Sequence, residues 1–221
     1  MAAGRGLRAE ERAWTSPPKL TRRGKGAHEI GQWADRRNRL WKQSRVHDNA
    51  SMKIGIISDS HDRADMLAAA VQQAQAQGAE AIVHCGDLIG AQTVRPSLER
   101  GLPVHLIHGN NIGDPQMLHR VAQQSEGLLQ YYGGDARLDL GGRRIFVVHY
   151  PDYGYAMACT GDWDLVCCGH SHFAEIRQVG NVKGGATWLV NPGTVAGLAA
   201  SPTWMLADLD AMRFHLHTLR L

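Results

Sequence analysis

A chain of 221 residues with 43% hydrophobic and 20% charged content fits one globular domain with a sizeable core. No stretch approaches the ~18 uninterrupted apolar residues of a membrane span, and the first residues lack the apolar core of a secretory signal. The formal charge of +3 joins unlike parts: residues 1–51 hold 12 of the 24 Lys+Arg and 5 of the 21 Asp+Glu (net +7), which leaves a net of −4 for residues 52–221. The mildly acidic remainder therefore gives no ground for nucleic-acid binding.

Residues 1–51 read as a basic, disordered extension rich in Arg and Gly, with Ser16-Pro17-Pro18. Gln32 to Arg45 offers only a weak basic helix, and a transit peptide or a nucleic-acid tail are other readings of the same charge. Met52 is a second candidate start, because the first strand begins there.

From Met52 onward strands and helices alternate. Lys53 to Ser58 is an apolar run that predicts a buried strand. Ala64 to Gln77 predicts a helix, with Met66, Leu67, Ala70, Val71 and Ala74 on one face and Gly78 as its stop. A second strand spans Ala81 to Cys85, a short helix Thr93 to Arg100, a third strand Val104 to His108, and another helix residues 116–125. That rhythm implies a parallel sheet with flanking helices. In the second half, Gly141-Gly142 between Arg137–Leu140 and Arg143–His149 signals a hairpin. Further strands follow at Asp164–Cys168, Glu175–Val179, Thr187–Val190, Thr203–Asp208 and Arg213–Leu219, the last two alternating as half-exposed antiparallel strands do. The expected fold is an α/β sandwich of two packed mixed sheets flanked by helices.

The four cysteines, Cys85, Cys159, Cys167 and Cys168, do not make a disulfide framework. Adjacent Cys167 and Cys168 belong on opposite faces of one strand, and free thiols fit a reducing cytoplasm.

Five strands end in groups able to bind metal: Asp59-Ser60-His61, Gly86-Asp87, Gly109-Asn110-Asn111, His149, and Gly169-His170-Ser171-His172. Strand ends of an open α/β sheet gather on one side, so these groups can meet. Asp-x-His and His-x-His, taken as extended segments, point both ligands the same way. Carboxylate, imidazole and amide oxygen together suit Mn, Fe, Zn, Co or Ni. Four histidines, two aspartates and an asparagine exceed the needs of one ion, whereas a bridging carboxylate between two ions accounts for them.

These five motifs, in this order, resemble those of the calcineurin-like metallophosphoesterase family. The opening Met52 to His61 and the late Asn191-Pro192-Gly193-Thr194 resemble its small prokaryotic phosphodiesterase branch. The resemblance implies that Asp59, His61 and His172 hold one metal, that Asn110, His149 and His170 hold the other, and that Asp87 bridges them. It also implies manganese as the first choice of ion, and hydrolysis of small phosphodiesters, with phosphomonoesters second, by a hydroxide between the metals. Catalytic weight would fall on Asp87, Asn110, Asn111 and His149. Many relatives have His where this chain has Asn111, and an amide cannot act as a general acid near neutral pH. Activated leaving groups are therefore expected. Asp114 is a candidate to orient that loop.

Two other functions fit the same residues less well. A non-catalytic protein-binding scaffold on this fold would not need all seven ligands, and a nuclease would rely on the basic tail. Tyr150, Tyr153 and Tyr155 are candidates for a pocket wall or for aromatic filler. His84, His105 and His108 read as structural, and unpaired strand edges are compatible with a homo-oligomer.

Overall fold

The structure, a computed structural model, describes residues 51–220. Apart from Ser51, the expected extension and its weak helix lie outside the described residues.

In chain order the elements are β1 (Lys53–Ile57), α1 (Ala64–Ala76), β2 (Ala79–His84), α2 (Ala91–Leu98), β3 (Val104–Leu106), α3 (Pro115–Gln124), β4 (Leu129–Tyr131) and β5 (Asp135–Leu140). They continue with β6 (Arg143–Val148), α4 (Pro151–Cys159), β7 (Leu165–Cys167), β8 (Ala174–Gly180), β9 (Ala186–Pro192), β10 (Thr203–Asp208) and β11 (Arg213–Thr218). Two mixed sheets result, in the orders β11-β10-β1-β2-β3-β4 and β5-β6-β7-β9-β8. The expected sandwich of two mixed sheets with flanking helices is what forms.

Strand period two explains the layers. Ile54 and Ile56 of β1 face the interior shared by the sheets, with Val83 of β2 and Leu138, Ile145, Val147 and Val190 of the second sheet. Ile57 and Ile82 face the other way, onto Leu67, Val71, Val94 and Leu118 of α1 to α3. Phe146, Val148, Val166 and Leu189 on the outer face of the second sheet pack on Ala158 of α4. Cys167 sits in the shared interior and Cys168 in the α4 layer, so adjacent cysteines do take opposite faces.

The β5–β6 hairpin turns on Gly141 and Gly142, at φ 56° and 74°, with Leu140 paired to Arg143. A two-residue turn with both φ positive suits glycine and matches the strand twist.

One expectation needs correction. β10 is not half-exposed: Trp204, Met205, Leu206 and Ala207 are all buried, because β10 lies between β1 and β11 and is covered on both faces. β11, at the edge, keeps the exposed character that was expected of both. Two elements went unpredicted. β4 has only three residues, and α4 carries Gly154 among three aromatic or polar neighbours, which weakens any apolar period. Pro151 at its first turn and the packing of Gly154 and Ala158 against the sheet make it a helix. Among the described residues, no helix is long and apolar enough to cross a membrane.

Candidate metal centre

The ends of β1, β2, β3, β6 and β7 lie together, joined by backbone hydrogen bonds between their loops. Asp59 N–H donates to Gly86 O (3.0 Å), His61 N–H to Asp87 O (2.7 Å), and Gly169 N–H to His149 O (2.9 Å). This lattice carries the predicted ligands to one place.

The local backbone is not extended, as the Asp-x-His and His-x-His spacings had suggested. Asp59, His61, Asp87, His170 and His172 all have positive φ, between 47° and 69°. Side chains rarely adopt this left-handed region, at a cost of about 1–3 kcal/mol per residue. Such strain persists only where surrounding contacts over-determine it, and here it coincides with the predicted ligands.

Two groups of atoms converge. One atom from each of Asp59, His61 and His172 lies within 4.8 Å of the others, and so do atoms from Asp59, Asp87 and His149. Asp59 is common to both groups. Asn110 Oδ1 lies 3.0 Å from His149 Nε2. His170 enters differently. Its backbone N–H donates to Asp59 Oδ2 at 3.1 Å, while its exposed ring stands edge-on to His149 at 5.1 Å between centroids.

Hydrogen bonding fixes two imidazole tautomers. His149 Nδ1 lies 2.8 Å from Cys85 O, and His172 Nδ1 lies 2.9 Å from Leu198 O. A carbonyl only accepts, so each Nδ1 carries the proton and each Nε2 is a lone pair in the neutral ring. His149 Nε2 then faces Asp87 Oδ1 at 3.3 Å and Asn110 Oδ1 at 3.0 Å. His172 Nε2 faces Asp59 Oδ1 at 3.3 Å. Asp59 Oδ1 and His61 Nε2 are buried with no hydrogen-bond partner. Acceptors thus point at acceptors, an arrangement that bound cations would satisfy. The donor set therefore fits divalent cations.

The two carboxylates are treated unlike. Burial pushes the Asp59 carboxyl above its ordinary range. Burial also acts on Asp87, but Asn111 donates from its backbone N–H (2.9 Å, to Oδ1) and its side-chain amide (2.6 Å, to Oδ2), and with His149 and His61 nearby holds that carboxyl below the usual range. Asn111 therefore faces Asp87 instead of open space. Asp114 does not reach the centre. It caps α3, accepting from Met117 N–H at 2.9 Å.

Several supports were not legible as site residues. His84 reads as structural in the sequence, and it is fully buried between two ligand loops. Gly86 N–H donates to its Nδ1 at 3.3 Å, so the proton is on Nε2 and is donated to Ser60 Oγ at 2.9 Å. Asn191 donates to Gly169 O (2.8 Å) and Ser171 Oγ (3.0 Å), which braces the loop carrying His170 and His172. Thr194 Oγ1 donates to Asp59 O at 3.0 Å. The Asn191-Pro192-Gly193-Thr194 signature was the available sequence signal for this brace.

His84 gives a pH prediction. Burial pushes its pKa down to about 3 from 6.5. The unfolded chain then takes up a proton that the folded one refuses, so stability is full above pH 6.5 and is lost as pH falls toward 3. The loss from this group is about 1.4 kcal/mol per pH unit. Urea unfolding of metal-free protein at several pH values between 6.5 and 4 should show a steeper decline for the parent than for His84→Gln. Parallel curves would remove this assignment.

Comparison with known proteins shows the family and the fold. Residues 52–212 match the calcineurin-like phosphoesterase superfamily domain. A phosphodiesterase of Methanocaldococcus jannaschii is 24% identical over 168 residues, covering 74% of this chain and 96% of the relative. The solved structure of an archaeal phosphodiesterase superposes with a TM-score of 0.69 at 22% identity, over 76% of this chain and all of that one. A predicted phosphoesterase from Streptococcus pneumoniae gives 0.54 at 18%, over 77% and 91%. The chain belongs to the calcineurin-like phosphoesterase superfamily and is by class a phosphoric ester hydrolase.

Proposed function

We propose that this protein is a metal-dependent phosphodiesterase acting on small diesters through two divalent ions. Asp59, His61 and His172 would hold one ion, Asn110, His149 and His170 the other, with Asp87 shared. The observation that carries this reading is the set of acceptor atoms converging without donors, with two histidine tautomers fixed from behind. His170, whose exposed ring stands edge-on to His149, would have to rotate that ring to join the second set.

When bound, a pair of such ions supplies a nucleophilic water at neutral pH and neutralises phosphoryl charge. The protein's own contribution is positional. Cys85 O and Leu198 O keep the imidazoles in the coordinating tautomer. Asn111 keeps Asp87 ionised and oriented while leaving lone pairs on both oxygens. Because Asn111 cannot deliver a proton, the leaving oxygen departs as an anion or takes its proton from solvent, which favours activated esters. Manganese remains the first ion to try, since the mixed nitrogen and oxygen donors suit it alongside Fe, Zn, Co and Ni.

The test is hydrolysis of bis(p-nitrophenyl) phosphate after chelation and again after manganese is restored. Turnover should vanish and return, and across an aryl series it should fall steeply as the leaving phenol becomes less acidic. Turnover that ignores chelation would defeat the proposal.

A further inference from the structure

Beside the metal centre lies a cleft of about 510 Å³, within the range of small-molecule sites. One strand end builds both. Val148 of β6 forms its floor with Phe146, and the next residue, His149, turns its Nε2 toward Asp87. Past His149 the chain passes Tyr150 and enters α4, and Tyr150 lines the cleft together with Tyr153 and Met157 of the helix.

The wall is aromatic and open. The Tyr150 ring lies 4.9 Å from the His170 ring and 5.6 Å from Tyr153, so aromatic faces run from the ligand cluster outward. Tyr150 is 38% exposed and Tyr153 is 63% exposed, so they are not core filler. The rim is polar. Asp135 stands at the start of β5, and His108, with Nδ1 paired to Tyr131 Oη at 2.9 Å, turns Nε2 toward Gly134 on the same cleft.

We infer that this cleft binds a nucleoside, the substituent of the phosphate ester handled at the metal centre. An apolar floor and tyrosine faces suit a flat heterocycle, which stacks on aromatic side chains in a sequence-tolerant way. Asp135 and His108 supply an acceptor and a ring nitrogen for base or sugar edges. The inference rests on the phosphodiesterase reading for the placement of the phosphate, and it narrows the substrate class to small nucleoside phosphodiesters.

The experiment compares calorimetric binding of adenosine 5′-monophosphate and methyl phosphate to the manganese-loaded full chain. The nucleotide should bind about ten-fold or more tightly, the scale of one base–aromatic contact. Ala156→Trp fills the cleft from an exposed helix position, and it should abolish that advantage while methyl phosphate binding stays as in the parent. Tyr153→Ala, also at an exposed position, should reduce the advantage without filling anything. Equal binding of the two ligands by the parent, or an undiminished advantage in Ala156→Trp, would overturn the inference. Hydrolysis of bis(p-nitrophenyl) phosphate reports separately on the metal centre. Nucleotide preference without any diester turnover keeps the cleft assignment and removes the phosphodiesterase reading.

Discussion

Asp87→Ala is expected to lower diester hydrolysis by on the order of 10³-fold or more, the equivalent of several kcal/mol of charge stabilisation. Asp87 is 2% exposed and faces both histidine sets, with Oδ1 3.3 Å from His149 Nε2 and Oδ2 4.0 Å from His61 Nε2. Asp59 also stands in both ligand groups, but among the described residues it is Asp87 that carries the two Asn111 hydrogen bonds. Metal analysis should show a fall in bound manganese alongside the loss of rate. Full manganese content with full activity in Asp87→Ala would rule out the shared-ligand role.

Gly109→Ala should be nearly as damaging, although it alters no ligand. A Cβ at Gly109 would fall onto Asp87 Oδ1 and lie 2.7 Å from both Cδ2 and Nε2 of His149. Both neighbours are buried and already hydrogen-bonded, so neither can retreat without leaving the cluster. A misplacement of about 1 Å at such a centre costs on the order of 10²-fold in rate. Gly180→Ala is the matched control: a Cβ there meets nothing within 4 Å, and its φ is not in the left-handed region. It should leave activity intact and raise stability slightly, by about 0.4–1 kcal/mol. Comparing kcat/KM and melting temperature for the two variants separates a crowding effect from a general intolerance of alanine. Similar behaviour of both would refute the close-approach argument.

The sequence by itself determined the strands other than β4, the helices with clear apolar faces, and the motif order. Those features are local: an apolar run such as Ile54 to Ile57 has to be buried, and Gly141-Gly142 has to turn whatever surrounds it. It also named Asp59, His61, Asp87, His149 and His172, whose ligand atoms come within reach of one another at the strand ends, because parallel strands deliver their carboxyl ends to one side. What only the tertiary structure decided are relations between distant segments. The double coverage of β10 depends on its place between β1 and β11, and no local period encodes a neighbour. The left-handed backbone at Asp59, His61, Asp87, His170 and His172 is imposed by cross-loop hydrogen bonds, so the extended reading of Asp-x-His and His-x-His could not foresee it. Asn111 was legible as the absence of a general acid, but its grip on Asp87 needed the 24-residue separation to close in space. Residue types and spacing told which atoms could bind metal. Which lone pairs are left free, and so where positive charge is required, depends on partners such as Cys85 O and Leu198 O that the fold alone brings near.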